Sequence, residues 1–284
     1  MAQDGRPLAV LGAGTMGHGI AHAALAAGYR TRLYDVADAP LQKAVGVIRG
    51  IIARSVELGK ATSDGADVMR GLLSTTRSVA EAVRGAAMVI EAAPEQMDLK
   101  LALLAEVQAH APADAVIASN TSALSITEMA AVLERPGRMG GMHFFNPVQK
   151  MKLVEVVRAL ETTDETVRAM IEVATAMGKE TVLIKESPGF ITSRINALIG
   201  NEAFYMLQEG VASARDIDKA LKLGLNHPMG PFELVDLVGL DTRLSILQYL
   251  HRALGEKFRP CPLLEQHVAA GRLGRKVGQG VFDY

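Results

Sequence analysis

Between Leu8 and Ile184 the sequence alternates short apolar segments with segments of helical periodicity. This alternation predicts a doubly wound α/β domain, because parallel strands need long crossover connections that usually hold a helix. The apolar segments are continuous rather than alternating, which is typical of strands buried on both faces. Strands are predicted at Leu8–Leu11, Arg32–Tyr34, Met88–Glu91, Val116–Ala118, Met139–Phe144 and Leu153–Val157. Helices are predicted at Thr15–Ala27, Leu41–Leu58, Leu99–Ala109, Ile126–Leu133 and Asp164–Met177.

After Lys185 the pattern becomes almost purely helical. Proline and glycine in Ser187-Pro188-Gly189 mark a boundary. We therefore predict a Rossmann-type domain over residues 1–185 and a smaller all-α domain over residues 186–284. The helices predicted in the second domain are Ile191–Gln208, Ala214–Lys222, Pro231–Leu254 and Leu263–Ala270.

Charge and composition exclude several classes of protein. The formal net charge of −1 gives no electrostatic footprint for nucleic acid or an anionic membrane. The single cysteine, Cys261, excludes an internal disulfide framework and a cysteine-rich zinc site. No apolar run approaches the ~18 to 20 residues of a membrane helix, and the first residues lack the pattern of a signal or transit peptide. We expect a cytoplasmic protein.

A glycine-rich loop follows the first predicted strand and opens the first predicted helix. Gly12, Gly14 and Gly17 form a G-x-G-x-x-G pattern, and only this strand–turn–helix context makes the pattern informative in a chain with 27 glycines. Gly12 would permit the tight turn, Gly14 the approach of a pyrophosphate and Gly17 close packing of the helix on the sheet. With Thr15 and Met16 at the helix start, the loop predicts a dinucleotide site. The alternative is a glycine-rich turn that binds no ligand.

Asp35 ends the second predicted strand, eighteen residues after Gly17. A carboxylate at that position accepts hydrogen bonds from both ribose hydroxyls of NAD and repels a 2′-phosphate. Its neighbour Val36 carries no positive charge, so the sequence favours NAD over NADP. His18 and His22 lie four residues apart but lack the glutamate of H-E-x-x-H, so we interpret them as surface or packing histidines and predict no metal.

Three later segments place polar residues beside or inside apolar strands. They are ASNTS with Asn120 and Ser122, MHFFNP with His143 and Asn146, and KLVEVV with Glu155. A lone carboxylate inside a buried strand is costly unless it is paired. A glutamate that fixes a histidine's tautomer makes it a base for the proton of a secondary alcohol, and a serine hydroxyl can hold the same oxygen.

Structural explanations compete with this interpretation. Ser125 and Glu128 form a capping-box pattern, so the polarity around Ser122 could simply begin a helix. Asn146-Pro147 is a common turn, and Glu155 could instead pair with Lys152 or Arg158.

From Val10 to Tyr284 the chain resembles the L-3-hydroxyacyl-CoA dehydrogenase family, especially its bacterial 3-hydroxybutyryl-CoA members. The motifs are GAGTMG, EAAPE, ASNTS, GMHFFNPV, MKLVEVV, SPGFI, KLGLNHPMGPFELVDLVGLDT and GRLGRKVGQGVFDY. The resemblance implies a general base at His143, an orienting partner at Glu155 and a substrate contact at Ser122. It also implies cofactor contacts from Asp35, Glu95, Lys100, Asn120, Asn146 and Lys276.

One position departs from the family pattern. Many members have PGF, two further residues and then an asparagine; in this chain that position is Ser193. We take Ser193 as the fourth catalytic residue. Asn196, three residues later, could replace it. The resemblance further implies an acyl-CoA substrate and a homodimer built by the helical domain. Arg49, Arg54 and Lys60 are candidate partners for the CoA phosphates, although each could equally belong to a solvated helix face.

The expected reaction is reversible, NAD-dependent oxidation of an L-3-hydroxyacyl-CoA. Alternatives are a dehydrogenase of free hydroxyacids or sugar acids of the gulonate type, and a non-catalytic NAD-binding protein. A dehydrogenase of the 6-phosphogluconate type would use a catalytic lysine, and the histidine of HFFNP argues against it.

Overall fold

The computed structural model describes residues 5–284, which divide into two compact units. The first unit ends at Ser187 and the second spans Pro188–Tyr284. Residues 1–4, which include part of the segment used to predict that no leader is present, lie outside the described residues.

The first unit is built on one eight-stranded sheet in the order β3-β2-β1-β4-β5-β6-β7-β8. All neighbouring strands run parallel except β6 and β7, which are antiparallel. The predicted fold class, a Rossmann-type sheet followed by a helical region, is thereby confirmed. The strands are β1 Leu8–Leu11, β2 Thr31–Tyr34, β3 Leu73–Thr76, β4 Met88–Glu91, β5 Val116–Ser119, β6 Met139–Phe144, β7 Leu153–Arg158 and β8 Glu180–Lys185.

Two strands, β3 and β8, were not predicted from the sequence, and they form the two edges of the sheet. β3 reads LSTT and β8 reads ETVLIK, and most of their side chains are half-buried or exposed. An edge strand does not need the continuous apolar run of a central strand, and β3 has none. β8 has a three-residue run, Val182–Ile184, between charged ends, and the prediction did not assign it. The prediction also missed that β7 and β8 run opposite to the remaining strands.

Seven α-helices accompany the sheet within residues 5–187. Strand β1 is fully buried; α1, which carries the buried Ile20, packs against it, and so does α4, which carries the buried Val83. The two short helices α3 and α4 were not predicted. The helices are α1 Thr15–Ala26, α2 Asp38–Glu57, α3 Ser63–Gly71, α4 Val79–Val83, α5 Met97–His110, α6 Ile126–Ala130 and α7 Asp164–Ala176.

The second unit contains five α-helices packed around their own core. Phe204 and Phe232 meet edge to face at 5.2 Å, and both are fully buried. The predicted single helix over Pro231–Leu254 is wrong, because Gly239 adopts a φ of 105° and divides it. The helices are α8 Thr192–Gln208, α9 Ala214–Gly224, α10 Pro231–Val238, α11 Leu240–Leu254 and α12 Pro262–Ala269.

Across residues 5–284, every helix is too short or too polar to cross a lipid bilayer.

Close approach of α1 to the β1 turn depends on Gly17. A Cβ atom added there would lie 1.7 Å from the carbonyl oxygen of Gly12, far inside van der Waals contact. The glycine therefore lets the first turn of α1 rest directly on the backbone of the preceding loop.

We expect G17A to destabilise the protein, because the methyl group must displace the Gly12 backbone. Overpacking of this kind costs about 1–3 kcal/mol, measured as the free energy of unfolding in urea. G46A is the matched control: Gly46 is exposed on α2 with open space around its Cβ position. There the same methyl should stabilise by about 0.4–1 kcal/mol. Equal effects of the two substitutions would contradict the packing role of Gly17.

Candidate active site

The glycine loop leaves room for a dinucleotide at the N-terminus of α1. Gly12 has a φ of 111° and lies against the backbone of Ala92, where a Cβ atom would clash. Gly14 has nothing within 4 Å of its Cβ position, so that side of the turn is open. No side chain caps the N-terminus of α1, which begins with Thr15 and Met16. An uncapped helix start beside an open glycine suits the pyrophosphate of NAD.

Asp35 is fixed directly beside this loop. Its Oδ2 accepts a hydrogen bond from the Ala13 amide at 2.9 Å, and its Oδ1 accepts one from Ala37 at 3.3 Å. Each carboxylate oxygen can accept more than one hydrogen bond, so both can still receive ribose hydroxyls. The residues present therefore fit the adenosine end of NAD.

His143 and Glu155 are paired inside the sheet. They are directly opposite each other in the antiparallel register of β6 and β7, and both are buried. His143 Nδ1 lies 2.7 Å from Glu155 Oε2. An ionised carboxylate only accepts, so Nδ1 is the donor and the neutral ring carries its lone pair on Nε2. Arg158, an alternative partner considered for Glu155, pairs with Asp164.

The loop after β5 brings Asn120 and Ser122 to the same end of the sheet. Asn120 Oδ1 accepts a hydrogen bond from the Phe144 amide at 2.9 Å, which ties this loop to the residue after His143. Glu95 Oε1 accepts from the Ser122 amide at 2.9 Å and from the Thr121 hydroxyl at 2.6 Å. Glu95, predicted as a cofactor contact, therefore holds the backbone of the serine loop.

Ser125 is the N-cap of α6, as the capping-box interpretation proposed. Its side chain accepts from the Glu128 amide at 3.1 Å. The cap begins three residues after Ser122, so it accounts for Ser125 and leaves the serine loop itself unexplained.

A buried ion pair that the sequence analysis did not identify supports this loop. Lys100 Nζ donates to Glu91 Oε1 at 2.6 Å, and both side chains are at most 1% exposed. Glu91 also accepts from the Ser119 hydroxyl at 2.5 Å, and Lys100 lies 3.6 Å from Glu95. The sequence feature that could have predicted this ion pair is Glu91, which ends a predicted buried strand, where a carboxylate needs a partner. The Lys100 ammonium is thus directed at protein groups of its own unit.

The remaining predicted residues occupy more exposed positions. Asn146 is exposed in the loop that follows β6. Lys179 donates hydrogen bonds to two carbonyls of the same loop, those of Val148 and Met151. On α2, Arg49 is exposed and Arg54 pairs with Glu57, while Lys60 is exposed just beyond the helix.

Three predicted residues belong to the second unit. Ser193 and Asn196 are half-buried on α8, in accord with their predicted place on one helix. Lys276 donates to both carboxylate oxygens of Asp241 at 2.6 Å. Within this unit the lysine ammonium therefore already has an anionic partner.

His18 and His22 lie on α1 as helix-packing residues. His18 Nδ1 contacts the Gly14 carbonyl oxygen at 2.9 Å. Burial, with Lys179 and His18 nearby, lowers the pKa of His22, so its ring is neutral at pH 7. Residues 5–284 contain no group of three or more histidine, cysteine or acidic side chains able to hold a metal ion.

Comparison with known proteins gives the family. The family model described as 3-hydroxyacyl-CoA dehydrogenase, NAD binding domain, matches residues 7–187, and that of the C-terminal domain matches residues 189–284. The chain belongs to the 3-hydroxyacyl-CoA dehydrogenase family. It is an NAD-dependent oxidoreductase, as the glycine loop and the resemblance of its motifs predicted.

Similar proteins match over nearly the full chain. A probable 3-hydroxybutyryl-CoA dehydrogenase of Bacillus subtilis is 45% identical, over 98% of this chain and 97% of that protein. A 3-hydroxybutyryl-CoA dehydrogenase of Bradyrhizobium diazoefficiens is 42% identical, over 100% and 97%. The crystal structure of (S)-3-hydroxybutyryl-CoA dehydrogenase from Ralstonia eutropha is 41% identical with a TM-score of 0.95, over 98% and 99%.

Replacing the buried Lys100 should lower the stability of the protein far more than replacing the cation of an exposed ion pair. We expect K100M to lower the free energy of unfolding by about 3–5 kcal/mol, because it leaves the Glu91 carboxylate buried without its cation. R54M, which breaks the exposed Arg54–Glu57 pair, is the control and should cost at most about 1 kcal/mol. Urea titration followed by circular dichroism measures both. Similar losses in the two variants would show that burial of the pair carries no special cost.

Proposed function

We propose that this dehydrogenase oxidises short-chain L-3-hydroxyacyl-CoA esters reversibly, with 3-hydroxybutyryl-CoA as the preferred substrate. Support for the substrate comes from relatives named for 3-hydroxybutyryl-CoA at 41–45% identity over almost the whole chain. The observation that carries the mechanism is the buried contact between His143 Nδ1 and Glu155 Oε2 at 2.7 Å.

In the oxidation direction His143 acts as the general base. The Glu155 carboxylate holds the Nδ1 proton, so Nε2 takes the proton of the 3-hydroxyl group. NAD, when bound, supplies the hydride acceptor. The negative charge of Glu155 then stabilises the imidazolium that forms, while burial of the pair strengthens that interaction. In the reverse direction the same imidazolium returns the proton to the ketone oxygen.

Ser122 donates a hydrogen bond to the same substrate oxygen. Glu95 and Lys100 support its loop through the contacts described above. The serine hydroxyl therefore meets the oxygen without a large reorganisation when charge develops there. Ser193 is the proposed fourth catalytic residue and would donate toward the thioester carbonyl, with Asn196 on the same helix as its alternative.

The cofactor and CoA assignments complete the proposal. Gly12, Gly14, Gly17 and Asp35 hold the pyrophosphate and adenosine ribose, and Asn120, Asn146 and Lys276 remain proposed contacts to the cofactor. Arg49 and Lys60 are better candidates than Arg54 for the CoA phosphates, because the Arg54 guanidinium already pairs with Glu57.

Replacing the base should abolish most of the turnover. H143Q removes the acceptor of the hydroxyl proton, so we expect kcat to fall by about 10²–10⁴-fold in a steady-state assay of NADH formation. The dissociation constant for NAD, measured by its displacement of fluorescent NADH, should change less than about twofold, since the His143 imidazole binds no part of the adenosine half.

H110Q is the matched control, since His110 is an exposed histidine at the end of α5. It should leave kcat unchanged. Wild-type turnover in H143Q would remove His143 from the mechanism. Far-UV circular dichroism on the same samples checks folding. Sedimentation equilibrium tests the homodimer that the resemblance implies; the mass of a single chain would exclude the dimer.

Substrate choice can be measured in the reductive direction. We expect kcat/KM with NADH to be highest for acetoacetyl-CoA and to fall for 3-ketohexanoyl-CoA and 3-ketodecanoyl-CoA. Free acetoacetate and a 3-keto sugar acid should be at least about 10²-fold poorer, because they lack the binding energy of CoA. A preference for the longer esters would overturn the short-chain assignment, and a preference for free acids would favour the gulonate-type alternative.

A further inference from the structure

The structure brings a positive charge to the adenosine end of the cofactor site, where the immediate neighbours of Asp35 in the chain, Tyr34 and Val36, carry none. β2 and β3 are parallel neighbours in the register Tyr34 opposite Thr76. The next residues, Asp35 and Arg77, therefore leave the sheet side by side, and the Asp35 amide donates to the Thr76 carbonyl at 3.4 Å. Arg77 is forty-two residues away in the chain, and β3 was not predicted from the sequence.

The guanidinium of Arg77 lies across the loop that carries Asp35. Its Nε donates to the Val36 carbonyl at 3.3 Å, and its Nη1 lies 3.3 Å from Asp38 Oδ2. Both contacts are long, and the Arg77 and Asp38 side chains are 59% and 64% exposed. Long contacts at an exposed position hold the guanidinium weakly, so it can exchange Asp38 for a stronger anion.

We propose that Arg77 is a latent anchor for a 2′-phosphate, and that Asp35 and Asp38 together keep it from accepting NADP. This inference rests on the proposed binding of the adenosine ribose by Asp35. An arginine beside the ribose is the usual way to accommodate a 2′-phosphate, and its planar fork matches phosphate oxygens. Here Asp35 repels that phosphate, and Asp38 neutralises the guanidinium that would hold it.

The formal charge of the cluster formed by Asp35, Asp38 and Arg77 predicts how strongly each variant repels a 2′-phosphate. With both aspartates and Arg77, the cluster carries a formal charge of −1, which opposes a phosphate. D35S leaves the Arg77–Asp38 pair neutral, and the further change R77Q restores the negative charge. Glu81, the next acid after Arg77, accepts from the Thr76 hydroxyl at 2.5 Å and forms no ion pair with Arg77 among the described residues.

The test measures binding of 2′,5′-ADP and 5′-AMP to the whole protein by calorimetry, so it requires no catalysis. These probes differ in the 2′-phosphate, and the ratio of their dissociation constants reports discrimination directly. We expect D35S to shift this ratio at least about tenfold toward 2′,5′-ADP, because repulsion is removed while Arg77 remains. D35S/R77Q should lose most of that shift, and D38N alone should shift the ratio by a few-fold in the same direction.

R70Q is the matched control: Arg70 forms an exposed pair with Asp67 on α3, and the substitution removes the same charge elsewhere. It should leave the ratio unchanged. Equal ratios in D35S and D35S/R77Q, or no shift in D35S, would overturn the proposal. The kcat/KM values for NADPH and NADH with acetoacetyl-CoA should follow the same order. If binding follows this order while no variant reduces a CoA ester, Arg77 keeps its role and the proposed substrate fails.

Discussion

The reversal of chain direction between β6 and β7 decides how this site is built. In an antiparallel pair, residues directly opposite each other bring their side chains together on the same face of the sheet. That register sets His143 against Glu155 at 2.7 Å, with both side chains buried. A parallel β7 would carry Glu155 in a different register, and the carboxylate would then be buried without a partner at high cost.

Charge inside the sheet is tolerated because every buried group of the site has an opposite or polar partner. Glu91 is matched by Lys100 and Ser119, and Glu155 is matched by His143. Such pairs contribute little net stability compared with apolar packing, since desolvation offsets most of their attraction. Their value here lies in fixed geometry, because a side chain held by short hydrogen bonds cannot easily change its rotamer.

The same end of the sheet also sets the electrostatics of the cofactor site. The carboxyl ends of parallel strands meet along one edge, so loops far apart in sequence contribute to one surface. Asp35 follows β2 and accepts from Ala13 in the glycine loop, and Arg77 follows β3 and donates to the carbonyl of Val36, the next residue after Asp35. The proposed discrimination between NAD and NADP therefore depends on residues delivered by two adjacent strands, and not on the neighbours of Asp35 in the chain alone.

The sequence alone determined the fold class and six of the eight strands, because buried strands leave strong local patterns. It also offered His143 as a partner of Glu155 beside Lys152 and Arg158, and the antiparallel register of β6 and β7 decided between them. Only the tertiary structure revealed β3, β8, the break at Gly239 and the buried Glu91–Lys100 pair. The edge strand β3 has no apolar run and that of β8 is three residues long, and a positive φ at one glycine does not change helical periodicity. The position of Arg77 near Asp35 could not be predicted either, because it depends on the pairing of β2 with β3.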